Sequence, residues 1–163
     1  MPEPYALAVT GSRHHTDLRL IREALTTAIH AAPAGRDVTV RHGACPTGAD
    51  TLAAYLLDRH RRFDDVFNRA VLERAVPADW DHCADDCSPE PHRVKKLPGD
   101  RHHPGDLDDY CPGAGPRRNT LLVDGAHLLL AFPLGLSYGT RNCMKAARAA
   151  GVPVRPVARK ARP

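Results

Sequence analysis

Short apolar runs that stop near a glycine or proline alternate with helix-period stretches along this sequence, and that alternation restricts its fold more than any other feature. Tyr5–Thr10 ends at Gly11, Val38–Val40 is followed by Gly43, Val71–Val76 runs up to Pro77, and Leu128–Phe132 is apolar throughout. Val152–Val157 makes a fifth candidate strand. An uninterrupted apolar run suits a parallel strand covered on both faces. Between these runs, Asp17–Ala32 repeats Leu18, Ile21, Leu25 and Ile29 at helical spacing. Gly48-Ala49-Asp50 opens a second helix with Leu52, Ala53, Leu56 and Leu57 on one side. Gly115-Pro116 starts a third that runs through Val123, and Gly139-Thr140 starts a fourth that ends at Gly151. The alternation predicts an α/β fold, a Rossmann-like three-layer sandwich around a parallel sheet with right-handed crossovers. At 163 residues a single domain is expected over 1–157, with a basic tail at 158–163.

One stretch breaks the pattern. Of the 32 residues from Asp81 to Pro112 only eight are hydrophobic, three of them cysteines, and the window also holds four of the ten histidines and five prolines. So little apolar area cannot drive a core, so the segment 81–114 is expected to be an insert with some other means of folding. Cys83 and Cys87 are spaced C-x3-C, His92 follows after four residues, and Cys111 after eighteen more. A close ligand pair followed by a long excursion fits tetrahedral zinc, closed by three thiolates and one imidazole as a structural site. Such a zinc couples ~10–16 kcal/mol of apparent binding free energy to folding. His102 is an alternative fourth ligand, and reduced thiols in a loose loop or a Cys83–Cys87 disulfide are the competing readings. Chain order puts the insert over the rim of the candidate pocket, as a lid or recognition flap.

In sheets of this class, ligands bind beyond the carboxyl ends of the strands, at the topological switch point. The small and polar residues of this chain gather at those ends. Gly11, Ser12 and Arg13 follow the first strand, and Gly43, Thr47, Gly48 and Asp50 follow the second. Arg118 and Asn119 open the helix after the insert, while Gly135, Ser137, Gly139 and Thr140 follow the fourth strand. Glycine permits close backbone approach, helix-start amides favour anions, and an arginine can fork a phosphate. Any one of these glycines could serve only to turn the chain. Four such loops on one rim point to a phosphate-bearing small ligand. Asp50 is the candidate acid of the rim, or simply a first-turn carboxylate answering the helix dipole. Trp80 could stack on a base or pack, and Cys45 is either a helix-start thiol or a small turn residue. His14 and His15 are expected as exposed loop histidines.

Charge narrows the partners. Lys and Arg number 23 against 19 Asp and Glu, a net charge of +4, which excludes a polybasic nucleic-acid coat. Eight aromatic residues leave few platforms for stacking a single strand, so nucleic acid is not an expected partner. No apolar run approaches the ~20 residues a bilayer requires. Met-Pro-Glu-Pro carries no basic stretch ahead of an apolar one, and a cytoplasmic chain is expected.

Several of these elements, taken in order, match a known pattern. AVTGSR at Ala8–Arg13, HGACPTGADTLAA at His42–Ala54, PADW at Pro77–Trp80, AGPRRN at Ala114–Asn119, AFP at Ala131–Pro133 and GT at Gly139–Thr140 recur together. The chain resembles the SLOG superfamily of Rossmannoid domains, which includes the DNA-processing A proteins and the Lonely Guy phosphoribohydrolases, and within it the bacterial and phage YspA-like branch. The resemblance implies a nucleotide-type pocket lined by the GSR, GAD, RRN and GT residues. In the phosphoribohydrolases a PGGxGT loop is followed, three residues after its Thr, by a Glu that works with an arginine. Here the loop is PLGLSYGT at Pro133–Thr140 and the Glu position is Cys143, so Arg118 lacks that partner and Arg118 and Asp50 remain the catalytic candidates.

The resulting expectation is binding or sensing of a nucleotide or nucleotide-derived ligand, beside a structural zinc. A phosphoribohydrolase-like hydrolase acting on a nucleoside phosphate or dinucleotide is the alternative, and single-stranded nucleic-acid binding the second alternative. A homo-oligomer is compatible with all three.

Overall fold

A computed structural model of the chain describes residues 2–87 and 91–159. Five strands build one parallel sheet: β1 (Tyr5–Gly11), β2 (Val38–His42), β3 (Val71–Ala75), and, numbered past a small pair in the insert, β6 (Leu128–Phe132) and β7 (Val154–Pro156). Their spatial order is β3-β2-β1-β6-β7. The chain therefore moves outward from β1 in one direction, then returns to its other side, and the switch point lies between β1 and β6. Register levels the carboxyl ends: Gly11 pairs with Phe132, Val9 with His42, and His42 with Ala75.

Helices cover both faces. On one side α1 (Leu18–Ala31) and α2 (Ala49–Phe63) bury Ile21, Leu25, Ala53, Leu56 and Leu57 against Leu7 and Val9 of β1, Val38 and Val40 of β2, and Leu128, Leu130 and Phe132 of β6. On the other side α3 (Ala114–Val123) and α4 (Tyr138–Ala149) bring Leu122, Val123, Cys143 and Ala147 against Ala8 and Leu129. Alternate residues of β1 and β6 thus feed two separate cores, as a strand buried on both faces requires. All five residues of β6 are buried. The Rossmann-like three-layer sandwich is present, and among the described residues no helix is long and apolar enough to cross a membrane.

The last strand, Val154–Pro156, is shorter than its apolar run, and bonds to β6 continue at each end, where the Pro153 carbonyl accepts from Leu129 at 2.9 Å and the Val157 amide donates to Ala131 at 2.7 Å. A feature without any apolar signature lies in the insert, where β4 (Val94–Lys95) and β5 (Asp109–Tyr110) form an antiparallel pair of their own. Polar bonds hold it. Arg93 meets the Asp109 carboxylate at 2.7–2.8 Å and donates to the Asp81 carbonyl at 2.8 Å. The Asp81 carboxylate in turn accepts the Asp106 amide at 2.7 Å and the Leu107 amide at 3.3 Å.

Candidate functional site

Close packing at the carboxyl ends begins with Gly11. A Cβ there would strike Ala49 and lie 2.9 Å from the Phe132 Cβ, so only glycine lets the first turn of α2 reach the end of β1. Gly48 completes the approach at φ +81°, where any side chain would run into the Ser12–Arg13 backbone. The Ala49 amide then donates to the Ser12 carbonyl at 3.2 Å, and the Ser12 amide donates to Phe132 at 3.0 Å. Loops after β1, β2 and β6 are thereby tied through one residue.

These loops enclose a cavity of about 420 Å³. Its walls include Gly11, Ser12, Arg13, Asp50, Arg118, Asn119, Ser137, Gly139 and Thr140. Thr10, His14, Cys45, Leu134, Leu136 and Tyr138 complete them. The first turns of α2 and α4 both border it, and neither Gly48 nor Ser137 caps its helix with a side-chain hydrogen bond. Two helix starts therefore border one space, and the positive end of a helix dipole favours an anion beside it. Ser137 Oγ instead engages Thr140 Oγ1 at 2.6 Å, which fixes two hydroxyls of the wall.

Asp50 is 6% exposed. Its carboxylate accepts the Cys45 amide at 3.1 Å. Burial pushes its carboxyl above the ordinary range, opposed by the nearby Arg118 guanidinium and by the Cys45 and Gly43 amides. Arg118 donates to the Gly43 carbonyl, to Val76 at 3.5 Å and to Asn119 Oδ1 at 3.0 Å. Asn119 donates onward to Gly139 at 3.3 Å and to Asn142 Oδ1 at 2.9 Å. The Arg118–Asn119 pair therefore clamps the loops after β2 and β6 together, besides facing the cavity.

Four residues singled out in the sequence stand elsewhere. A Cβ on Gly43 would overlap the Arg118 guanidinium, so Gly43 clears room for that side chain rather than lining the cavity. Gly48 sits behind the Ser12–Arg13 backbone, and Gly135 makes a turn at φ +53°. Thr47 turns its Oγ1 inward, where among the described residues it has no hydrogen-bond partner. Cys143 is fully buried beneath the cavity in the second core cluster, and burial pushes its thiol up to about 11. It packs; it does not face the site. His15 was expected at the surface and is 5% exposed instead, edge-on to Phe132 with ring centroids 5.8 Å apart.

A second cavity of about 370 Å³ adjoins the first and shares Arg13, Cys45, Arg118, Asn119, Tyr138 and Gly139 with it. Trp80, just ahead of the insert, and His102, His103 and Tyr110 within it supply its aromatic wall, with Asn142 of α4 beside them. Insert residues thus border a cavity that shares six residues with the first. Trp80 stood in the PADW motif and Leu134, Leu136 and Tyr138 in the PLGLSYGT loop, but their meeting with His103 and Tyr110 around adjoining cavities comes only through the tertiary fold.

The insert also gathers sulfur. The Sγ atoms of Cys83, Cys87 and Cys111 all lie within 4.8 Å of one another, with Cys87 and Cys111 at 3.3 Å. Tetrahedral zinc with Zn–S near 2.3 Å sets S···S distances of about 3.8 Å, so this spacing fits a bound metal ion. Arg117 donates to the Cys87 and Cys111 sulfurs at 3.6–3.7 Å, and Arg93 to Cys83 at 3.9 Å. Burial opposes ionisation of Cys111, but hydrogen bonds from Cys87, Arg117 and Cys83 outweigh it and bring the thiol down to about 7. The His92 ring is not in the sulfur group; His92 meets Cys83 through its carbonyl oxygen at 3.5 Å. His102 is not in it either, and lines the second cavity.

A family model described as the YspA, cpYpsA-related SLOG family (YAcAr) matches residues 6–60, from β1 into the last turn of α2. The Gene 61 protein of Mycobacterium phage D29 is 33% identical over 147 residues, 90% of each chain. This chain belongs to the SLOG superfamily. The matched SLOG segment contains Gly11–Arg13, Cys45 and Asp50 of the cavity wall. Among solved structures, the molybdenum cofactor binding protein from the phototrophic bacterium Rippkaea orientalis superposes with a TM-score of 0.51 at 16% identity, covering 96% of this SLOG chain and 77% of its own. That likeness is one of fold.

Proposed function

We propose that this SLOG domain binds a nucleotide or nucleotide-derived, phosphate-bearing small molecule at the carboxyl ends of β1, β2 and β6. The observation that carries the reading is the cavity itself. Two helix starts, the Gly11–Arg13 turn and the Ser137–Thr140 hydroxyl pair converge on one space at the switch point. Phosphate would sit against these helix starts and the Ser137–Thr140 hydroxyls, with Arg13 as the exposed cation of the rim. A neighbour of the same fold that is a cofactor binding protein supports ligand binding in general.

Within the same reading, segment 81–114 is a subunit of the domain stapled by a structural zinc on Cys83, Cys87 and Cys111. His92, whose carbonyl already meets Cys83, is the proposed fourth ligand. Zinc would supply the folding energy that the insert's apolar content does not.

Titration calorimetry of the purified chain with nucleoside phosphates tests the binding site. Saturable binding that Arg13→Ala weakens by about tenfold is expected, and the absence of binding to any phosphate ester would remove the reading. Turnover is the second reading, favoured by the elevated Asp50 carboxyl in the cavity wall. Chromatography of the incubated nucleotide separates the two, since hydrolysis abolished by Asp50→Asn would make the chain an enzyme.

A further inference from the structure

The second cavity has a different chemistry from the first. Its far wall is aromatic: His103 and Tyr110 are stacked with centroids 3.7 Å apart and planes 5° from parallel. Trp80 stands edge-on to both, at 4.7 Å from His103 and 6.0 Å from Tyr110. This wall is held in place. The Asp100 carboxylate meets His103 Nδ1 at 2.7 Å and accepts the amides of His102 and His103 at 2.8 and 3.2 Å. The Trp80 carbonyl accepts the amide of Cys111, one of the three clustered thiols, at 2.8 Å. Gly115 lies against the Trp80 ring, where an added Cβ would come within 3.1 Å.

A rigid aromatic wall facing open space binds flat π-systems, by face stacking or by edge contact. Here that wall shares Arg13 and Arg118 with the anion-directed cavity, so a single ligand can place an anionic end in one and a planar end in the other. Base, sugar and phosphate in sequence have that division of character. We infer that the insert forms a nucleobase subsite, with Trp80, His102, His103 and Tyr110 receiving the base of a ligand whose phosphate occupies the first cavity. The inference rests on the proposed phosphate site, and it gives the insert a recognition role beyond its metal. The polypeptide that departs most from the sheet then selects the ligand.

Trp80 is the chain's single tryptophan, so its emission reports on this subsite alone. The purified full chain is titrated with inorganic phosphate, ribose 5-phosphate, AMP and UMP, with calorimetry and Trp80 fluorescence read in parallel. AMP is expected to bind at least about tenfold more tightly than ribose 5-phosphate and to quench Trp80, which ribose 5-phosphate leaves unchanged. His102→Ala, in a loop that holds Asp100 through backbone amides, should lower nucleotide affinity about fivefold or more without altering ribose 5-phosphate binding. Tyr110→Leu provides a second variant should the first perturb the fold. Equal affinity for ribose 5-phosphate and both nucleotides, with no quenching, would overturn the nucleobase subsite and leave the phosphate site standing. Failure of all four probes to bind would overturn both.

Discussion

Arg117 and Arg118 are adjacent at the start of α3 and serve different sites. Arg117 donates to the sulfurs of Cys87 and Cys111 and to the His82 carbonyl, whereas Arg118 donates to the Gly43 carbonyl beside Asp50. One helical turn thus joins the sulfur cluster of the insert to the wall of the ligand cavity.

Removing Arg117 tests the first half of that link. Three thiolates around a divalent ion leave excess negative charge, which the guanidinium offsets. Arg117→Ala should weaken metal retention by roughly 10–100-fold, the usual effect of losing an outer partner of a metal ligand. Competition with a chromophoric chelator measures it. Unchanged retention would mean that Arg117 only anchors His82.

Metal removal should loosen the insert and spare the sheet. After chelation, limited proteolysis is expected to cut within 81–112 first, while the parallel core keeps its far-ultraviolet signature. Uniform loss of protection across the chain would show that the insert is no separate unit.

Gly43 tests the other half. Since a Cβ at Gly43 overlaps the far end of Arg118, a flexible side chain, Gly43→Ala should displace the guanidinium at a stability cost of about 1 kcal/mol. Ligand affinity should fall by about tenfold, because the clamp between the β2 and β6 loops opens. Denaturant melts and calorimetry on the same sample separate the two effects.

Asp50 gives a pH dependence with a definite sign. Its folded carboxyl titrates above the ordinary 3.8, chiefly through burial, so near and above that pH the folded state holds more proton than the unfolded one. Stability from this group is therefore fully present below pH 3.8 and is lost as pH rises through the elevated value. Carboxylates such as Asp100 and Asp109, held below the usual range by His103 and Arg93, give the opposite slope. The difference between wild type and Asp50→Asn isolates the Asp50 contribution: the wild type should lose stability relative to the variant on going from acid towards neutral pH. A constant difference would contradict the elevated carboxyl.

Cys143 should behave as a core residue. Cys143→Ala is expected to cost about 1–2 kcal/mol by opening a small void against Thr10 and Ala8, with ligand affinity unchanged. Loss of affinity at constant stability would place the thiol in the site instead.

Burial on two faces made the sheet legible in the sequence. The unbroken run Leu128–Phe132 and the Tyr5–Gly11 run have the pattern of interior parallel strands, and Gly11 at the end of the first borders the cavity. The rim loops were legible for the same reason, as short clusters of small and polar residues. What remained hidden depends on contacts between segments distant in sequence. Thr47 and Gly135 share their neighbours' composition, yet Thr47 buries its Oγ1 and Gly135 makes a left-handed turn at φ +53°, outcomes set by the backbone and not by residue type. The β4–β5 pair has two residues per strand and no alternation, and it stands on Arg93, Asp81 and Asp109, whose pairing no local pattern encodes. Stacking of His103 on Tyr110 is of the same kind.

The margins of the sheet carry a consequence for assembly. On β3 the outward residues include Glu73 and Arg74, and β7 is Val154-Arg155-Pro156 with Pro153 just ahead of it. Charge on one border and absent amide hydrogens on the other discourage edge-to-edge docking of a second molecule. The two borders of the sheet thus resist its extension into a continuous intermolecular ribbon, and the ligand-facing rim beside them is spared that contact.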